Sequence, residues 1–333
     1  MGDQRFLIVR LGSLGDIVHT FPAVAALRQS FPAAEIVWLT HPRFEELVGS
    51  SSLASEIWPV DSRDLACVRR ILAKIRQRKW NTAIDYQGLW KSALLPFLGG
   101  ITRRIGFSSD TIREFGVPIL YTDSVVCEAT HIADQNGELS LRAGATRPVA
   151  PFTLQVADAD AQRVRTDLAK EGLGRYVVLS PGGGWRAKCW PADRFGALCQ
   201  RIHTEMGISC VVNYGPGEAS LASEVQMASG PLKPASYDGQ TNTLRALLRD
   251  ALCIVGGDTG PLHLAIALGT PAVALFGPTD PVRNGPYPPG AIVLRSSKAV
   301  TTYGRSNETD SSLLDLSVDA VFAAVKRRLE TTK

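Results

Sequence analysis

The six cysteines form no C-x-x-C pair; they stand apart at positions 67, 127, 189, 199, 210 and 253, so no zinc site is indicated. A chain of 333 residues can bury a large core without covalent staples, and its thiols read as reduced ones in a cytoplasmic protein. No apolar run reaches the ~18 residues of a membrane-spanning helix; the longest, 262–278, is interrupted by His263, Gly269 and Pro271. The opening apolar run is short and lacks a cleavage-site pattern, so no signal peptide is expected. Neither sign of charge dominates. There are 36 basic and 32 acidic residues, divided as 17 and 15 up to position 150 and 19 and 17 beyond it. That balance speaks against a dedicated nucleic-acid binder and leaves any basic surface as a local patch. Gly and Pro are scattered as single turns, with no repeat and no low-complexity tract. Both the Walker A pattern and a G-x-G-x-x-G followed by an acid about 20 residues on are missing.

What is present is alternation. Phe6-Leu7-Ile8-Val9 is a short continuous apolar run of the buried parallel-strand type. A glycine-containing turn follows, then a helical pattern over 17–30, then the strand Glu35–Leu39. This is the opening of a doubly wound α/β domain. A strand at 57–60, an amphipathic helix at 64–79, a strand at 82–85 and a polar helix between His131 and Gly144 continue it. The stretch 145–157 has Pro148 and Pro151 and no clear periodicity, and reads as a boundary. Beyond it the alternation restarts: helix 158–171, strand 176–180, helix 192–206, strand 208–213, helices 217–229 and 243–250, strand 252–256, helix 261–268, strand 272–276. A last helix starts at Ser317. Two Rossmann-like halves are expected, 1–155 and 156–314, with 315–333 packing back on the first half and the functional cleft lying between the halves.

Three glycine-bearing turns carry chemistry. In Gly256-Gly257-Asp258-Thr259-Gly260-Pro261-Leu262-His263, Pro261 suits a first helical turn. The N–H groups of Thr259, Gly260 and Leu262 would then suit a phosphate. Asp258 and Thr259 would equally serve as plain helix caps. In Ser180-Pro181-Gly182-Gly183-Gly184-Trp185-Arg186-Ala187-Lys188, consecutive glycines after a strand allow backbone close to a ligand, and Lys188 adds a cation; a flexible turn with a surface lysine is the plain alternative. Two such turns in one half point to a shared diphosphate site. The third turn, Gly12-Ser13-Leu14-Gly15-Asp16, offers Asp16 as a general base or as a cap. His19 follows one turn later, as a partner or a core histidine. Glu218 could accept from ribose hydroxyls or simply favour a helix dipole. The segment 63–79 has seven basic residues against one acid, which could meet an anionic membrane or form a solvated face.

Taken in order, these stretches resemble a known family. Asp258-Thr259-Gly260-Pro261-Leu262-His263 with Phe276-Gly277-Pro278-Thr279-Asp280-Pro281 is similar to the signature of glycosyltransferase family 9, the ADP-heptose:lipopolysaccharide heptosyltransferases. So are Gly12–Pro22, Asp85-Tyr86-Gln87-Gly88-Leu89-Trp90-Lys91-Ser92 and Lys188-Cys189-Trp190-Pro191. The resemblance implies a GT-B fold, two facing Rossmann-like domains with a central cleft. It implies inverting transfer of heptose from ADP-heptose to the Kdo–lipid A inner core, without a cofactor or an essential metal. Asp16 would take the acceptor's proton. Lys188, with the backbone of Thr259 and Gly260, would bind the leaving diphosphate. Asp258 would hold heptose hydroxyls, Glu218 the ribose, Gly183 and Gly184 would admit the phosphates, and His263 would support their loop. Gly12, Ser13, His19, Lys91 and Arg113 would lie toward the acceptor. The 87–92 and His19-Thr20 details resemble the members that add the first heptose more than those that add the second. The protein would work peripherally on the cytoplasmic face of the inner membrane. Another nucleotide-sugar donor, a nicotinamide-dependent oxidoreductase and a non-catalytic binding protein are the competing readings. Residues 299–312 match nothing in the resemblance.

Overall fold

The computed structural model describes residues 4–112, 114–239, 241–302, 304 and 306–331. The chain divides into two compact units, Met1–Gln155 and Val156–Lys333.

The first unit is built on a six-stranded sheet of order β3-β2-β1-β4-β5-β6. Its strands are β1 (Arg5–Val9), β2 (Glu35–Thr40), β3 (Glu56–Pro59), β4 (Thr82–Asp85), β5 (Arg104–Phe107) and β6 (Asp123–Val125). All of these pairs are parallel; Leu7 faces Val37 on one side and Ala83 on the other. A parallel strand covered on both faces needs apolar residues at successive positions, which is why Phe6–Val9 reads as an unbroken run. The helices are α1 (Leu14–Val18), α2 (Phe21–Ser30), α3 (Glu45–Gly49), α4 (Leu65–Arg76), α5 (Trp90–Leu98) and α6 (Ile132–Arg142). The single helix expected over 17–30 is two helices. Thr20 is the N-cap of α2 and Pro22 lies in its first turn, where the missing N–H is harmless but a preceding helical turn is disfavoured. Asp64 caps α4 by accepting from the N–H of Ala66 at 2.8 Å, and Cys67, Ile71 and Ile75 face the core.

The second unit repeats the plan with order β12-β11-β10-β7-β8-β9. Its strands are β7 (Tyr176–Ser180), β8 (Ser209–Tyr214), β9 (Ala235–Asp238), β10 (Cys253–Gly257), β11 (Ala272–Phe276) and β12 (Ile292–Arg295), again parallel. Its helices are α7 (Asp158–Lys170), α8 (Ala192–Met206), α9 (Ala219–Ala228), α10 (Thr241–Arg249), α11 (Gly260–Ala267), α12 (Pro281–Asn284), α13 (Ser311–Leu314) and α14 (Val318–Glu330). On the terminal helix α14, Val321, Phe322, Ala324 and Val325 enter the core of the second unit beside Cys199, Cys253 and Val273. Its apolar stripe completes the cover over β10 and β11, which are neighbours in that sheet.

In each sheet the chain starts at a middle strand, builds outward to one side, then returns to build the other. The reversal points lie between β1 and β4 and between β7 and β10. Loops leaving the carboxyl ends of two such strands splay apart, and ligands of open α/β sheets bind there.

Candidate functional site

At the β7/β10 reversal the glycine loop is shaped by its neighbours. A Cβ on Gly182 would stand 2.2 Å from the Glu218 carboxylate, and one on Gly183 would stand 2.9 Å from Cys189 Sγ. Gly184 has φ +76°, which favours glycine. A short 3-10 turn, Arg186–Lys188, then folds the chain back over β10, so close that a Cβ on Gly257 would meet the Lys188 carbonyl at 2.8 Å. The turn delivers Lys188 Nζ to Asp258 Oδ2 at 3.0 Å. The ammonium also sits over the Trp185 ring, 4.4 Å from its centroid. On the other side His263 Nε2 lies 2.9 Å from Asp258 Oδ1. Burial pushes the Asp258 carboxyl up, but the His263 hydrogen bond and the Lys188 charge outweigh it and hold the acid well below the usual carboxylate range. Asp258 is therefore an anion whose two oxygens each engage a side chain of the protein. Its position fixes Lys188.

Thr259 is the N-cap of α11, with Pro261 in the first turn. The N–H groups of that turn have no carbonyl within the helix, and they open beside the lysine. This is the pairing of a helix N-terminus with a cation that suits a diphosphate. Glu218 stands at the start of α9 and accepts the Gly215 N–H at 2.9 Å, which holds it across the ends of β7 and β8. Two residues of 299–312, a stretch that matched nothing in the resemblance, bond to loops at this end of the sheet. Thr302 N–H donates to the Pro278 carbonyl at 2.7 Å and Asp310 N–H to that of Ala187 at 3.3 Å.

At the β1/β4 reversal the structure adds a residue that the sequence did not single out. Arg10 leaves β1 buried. Its Nη1 donates to the Tyr86 carbonyl, and its Nη2 lies 2.9 Å from Asp16 Oδ1. The other Asp16 oxygen accepts the backbone N–H and the hydroxyl of Ser13, both at 2.9 Å. Asp16 is thus the third residue of α1 and closes a capping arrangement on Ser13, the N-cap position. Its carboxylate is 44% exposed and still reaches solvent. A buried charge directly after an apolar strand was the available signal for Arg10. Gly12 packs tightly against Phe44; a Cβ there would stand only 3.0 Å from the ring.

The loop after β4 is tied to this one through Gln87, whose Oε1 accepts the Leu11 N–H at 2.7 Å. That loop is organised by Asp85, fully buried. Asp85 accepts from Tyr121 and Ser92 hydroxyls, both at 2.8 Å, and from the N–H groups of Gln87 and Gly88 at 2.9 and 3.2 Å. Burial raises its carboxyl while these four donors pull against it. Lys91 is exposed at the start of α5. His19 is buried, its ring edge-on to His131 at 5.4 Å. Arg113 lies outside the described residues. Among the described residues no group of three or more His, Cys, Asp or Glu is arranged to hold a metal, and no helix is long and apolar enough to cross a membrane.

The chain has relatives among known proteins. The profile of the family described as "Glycosyltransferase family 9 (heptosyltransferase)" matches residues 68–311. Lipopolysaccharide heptosyltransferase 1 of Pseudomonas aeruginosa is 28% identical, over 94% of this chain and 91% of its own. The crystal structure of a family 9 glycosyl transferase from Veillonella parvula superposes with a TM-score of 0.85 at 22% identity, covering 99% of both chains. The Escherichia coli heptosyltransferase WaaC with ADP-2-deoxy-2-fluoro heptose gives 0.75 at 23% identity, over 99% of this chain and 100% of that one. These superpositions show the fold, the GT-B arrangement expected from the motifs.

Proposed function

This chain belongs to glycosyltransferase family 9, and on that premise we propose that it moves heptose from ADP-heptose to the Kdo–lipid A inner core of lipopolysaccharide. The observation that carries the reading is Lys188, fixed by Asp258 beside the N-terminus of α11 at the reversal point of the second sheet. The curated and structural relatives, named as heptosyltransferases, support the donor and the class of acceptor.

On this reading the second unit binds the donor. Lys188 and the first-turn N–H groups of α11 face the diphosphate, and Glu218 accepts from the ribose. Gly183 and Gly184 let the backbone approach the phosphates, and His263 keeps Asp258, and through it Lys188, in place. The first unit binds the acceptor, with Gly12, Ser13, Lys91 and Arg113 toward it. The acceptor oxygen attacks the anomeric carbon from the face opposite ADP, its proton passes to Asp16, and the bond to the diphosphate breaks. The configuration inverts. The negative charge that grows on the leaving diphosphate meets donors already in position, which is where preorganised electrostatics act most strongly. The acceptor is held in the bilayer by acyl chains, so the enzyme works peripherally at the cytoplasmic face of the inner membrane. The 28% identity to the Pseudomonas aeruginosa heptosyltransferase 1 adds support for the first-heptose reading.

Asp16→Asn tests the assignment. The variant keeps the shape of the site and should keep ADP affinity while turnover falls by about 10²–10⁴, the range for a general base. Unchanged turnover would remove Asp16 from the reaction.

A further inference from the structure

The first unit carries a face that the transfer chemistry leaves unused. Trp90, Leu94, Phe97 and Leu98 fall on one stripe of α5. Leu94 packs inward beside Val117 and Leu120, while Trp90, Phe97 and Leu98 stay 40–45% exposed. Next to the stripe the chain after β5 projects Phe115 and Ile119, 98% and 80% exposed. The two groups touch. The Trp90 ring lies 3.2 Å from where a Cβ on Gly116 would stand, and the Trp90 N–H donates to Glu114 at 2.7 Å.

Cations border the patch. The Arg104 guanidinium stacks on Phe97 at 5.3 Å and its Nε donates to the Leu120 carbonyl at 2.6 Å. Arg76 grips the Leu98 carbonyl at 2.9 and 3.2 Å, which joins α4 to α5. Arg69, Arg70, Lys74 and Lys79 are exposed, and 65–79 contains no acid. The acids nearby are Asp64 at the start of α4, Glu56 paired with Arg78 and close to Lys74, Asp110, and Glu114 engaged at the start of α5; the exposed cations outnumber them.

We propose that this face docks on an anionic bilayer, with Phe115 and Ile119 entering between the headgroups and the cations of α4 lying over acidic lipids. The proposal deepens the reading above, since it supposes an acceptor held in a lipid surface. Two features favour a bilayer over a second copy of the chain. A two-fold contact through this face would set the cations of α4 against themselves. Phe115 also projects nearly its whole surface, the form of a side chain that enters a soft phase and not of one packed on a flat partner.

The test uses the full chain and vesicles of phosphatidylcholine with and without phosphatidylglycerol. Transfer to a de-acylated, water-soluble acceptor is followed in parallel. Wild-type protein should sediment only with the anionic vesicles. Phe115→Ser with Ile119→Ser should weaken that partition about thirtyfold, and Arg70→Gln about fivefold at low salt. Phe115→Trp should shift its emission to the blue on the anionic vesicles. Both exposed-site variants should transfer to the soluble acceptor at the wild-type rate. Unchanged vesicle binding in the double serine variant would overturn the proposal, as would an unshifted tryptophan. A wild-type dimer in sedimentation velocity that the serine pair dissociates, without vesicle binding, would assign the face to self-association instead. Loss of transfer to the soluble acceptor in wild-type protein would sink the transfer reading alone, because the vesicle result stands without it.

Discussion

Replacing Lys188 with Met separates two roles that one ion pair combines. The side chains of Lys188 and Asp258 are 10% and 11% exposed and 3.0 Å apart. Taking one partner from a buried pair typically destabilises by about 3–5 kcal/mol. Asp258 keeps its His263 contact at 2.9 Å, so the lower end, about 3 kcal/mol, is expected for Lys188→Met. Adding Asp258→Asn removes the stranded anion and should return about 2 kcal/mol of that loss, measured by denaturant unfolding of all four members of the cycle. Transfer should behave differently. Removing a donor aimed at developing charge lowers turnover by about 10²–10³, and the second substitution cannot replace the cation. The double variant should therefore be stable and slow. A double variant that recovers both stability and turnover would mean that Lys188 serves only to neutralise Asp258.

The remaining predictions concern the loops around these residues. Arg10→Ala should lower turnover about 10²-fold with ADP affinity unchanged, since a misplaced base loses that much; Arg10→Lys should remain impaired because a lysine cannot reproduce the fork to Tyr86 and Asp16, and steady-state kinetics with ADP calorimetry check both. Asp258 is held below its ordinary value of 3.8, so its contribution to stability is present above that pH and is lost as pH falls below it. Unfolding free energies from pH 7 down should thus decline more steeply below about pH 4 in wild-type protein than in the Lys188→Met, Asp258→Asn double variant. Gly182→Ala places a methyl 2.2 Å from the Glu218 carboxylate and must displace it from Gly215; ADP affinity should fall about tenfold, roughly 1.4 kcal/mol, in calorimetric titration.

Strands β7 and β11 and helix α8 lie where the apolar runs and the helical period placed them, because buried parallel strands and one-sided helices write those patterns directly into sequence. Other elements leave no such trace. β9 is Ala-Ser-Tyr-Asp at a sheet edge and half-exposed, so nothing apolar marks it. α5 contains Pro96, a residue that argues against a helix interior. Within the site, the glycine turns and Lys188 were legible as local signals. The union of Lys188 with Asp258, 70 residues apart, was not, because it depends on β7 and β10 lying side by side. For the same reason the contact of Arg10 with the Tyr86 carbonyl and the bond from Leu11 to Gln87 became visible only once β1 and β4 were neighbours.

Mass spectrometry of Kdo–lipid A after incubation with the purified protein and ADP-heptose reads the transfer itself. Wild-type protein should form a product heavier by one heptose, and Asp16→Asn should not. An unmodified acceptor with ADP-heptose, alongside ready transfer from a different nucleotide sugar, would rule out heptose as the group transferred.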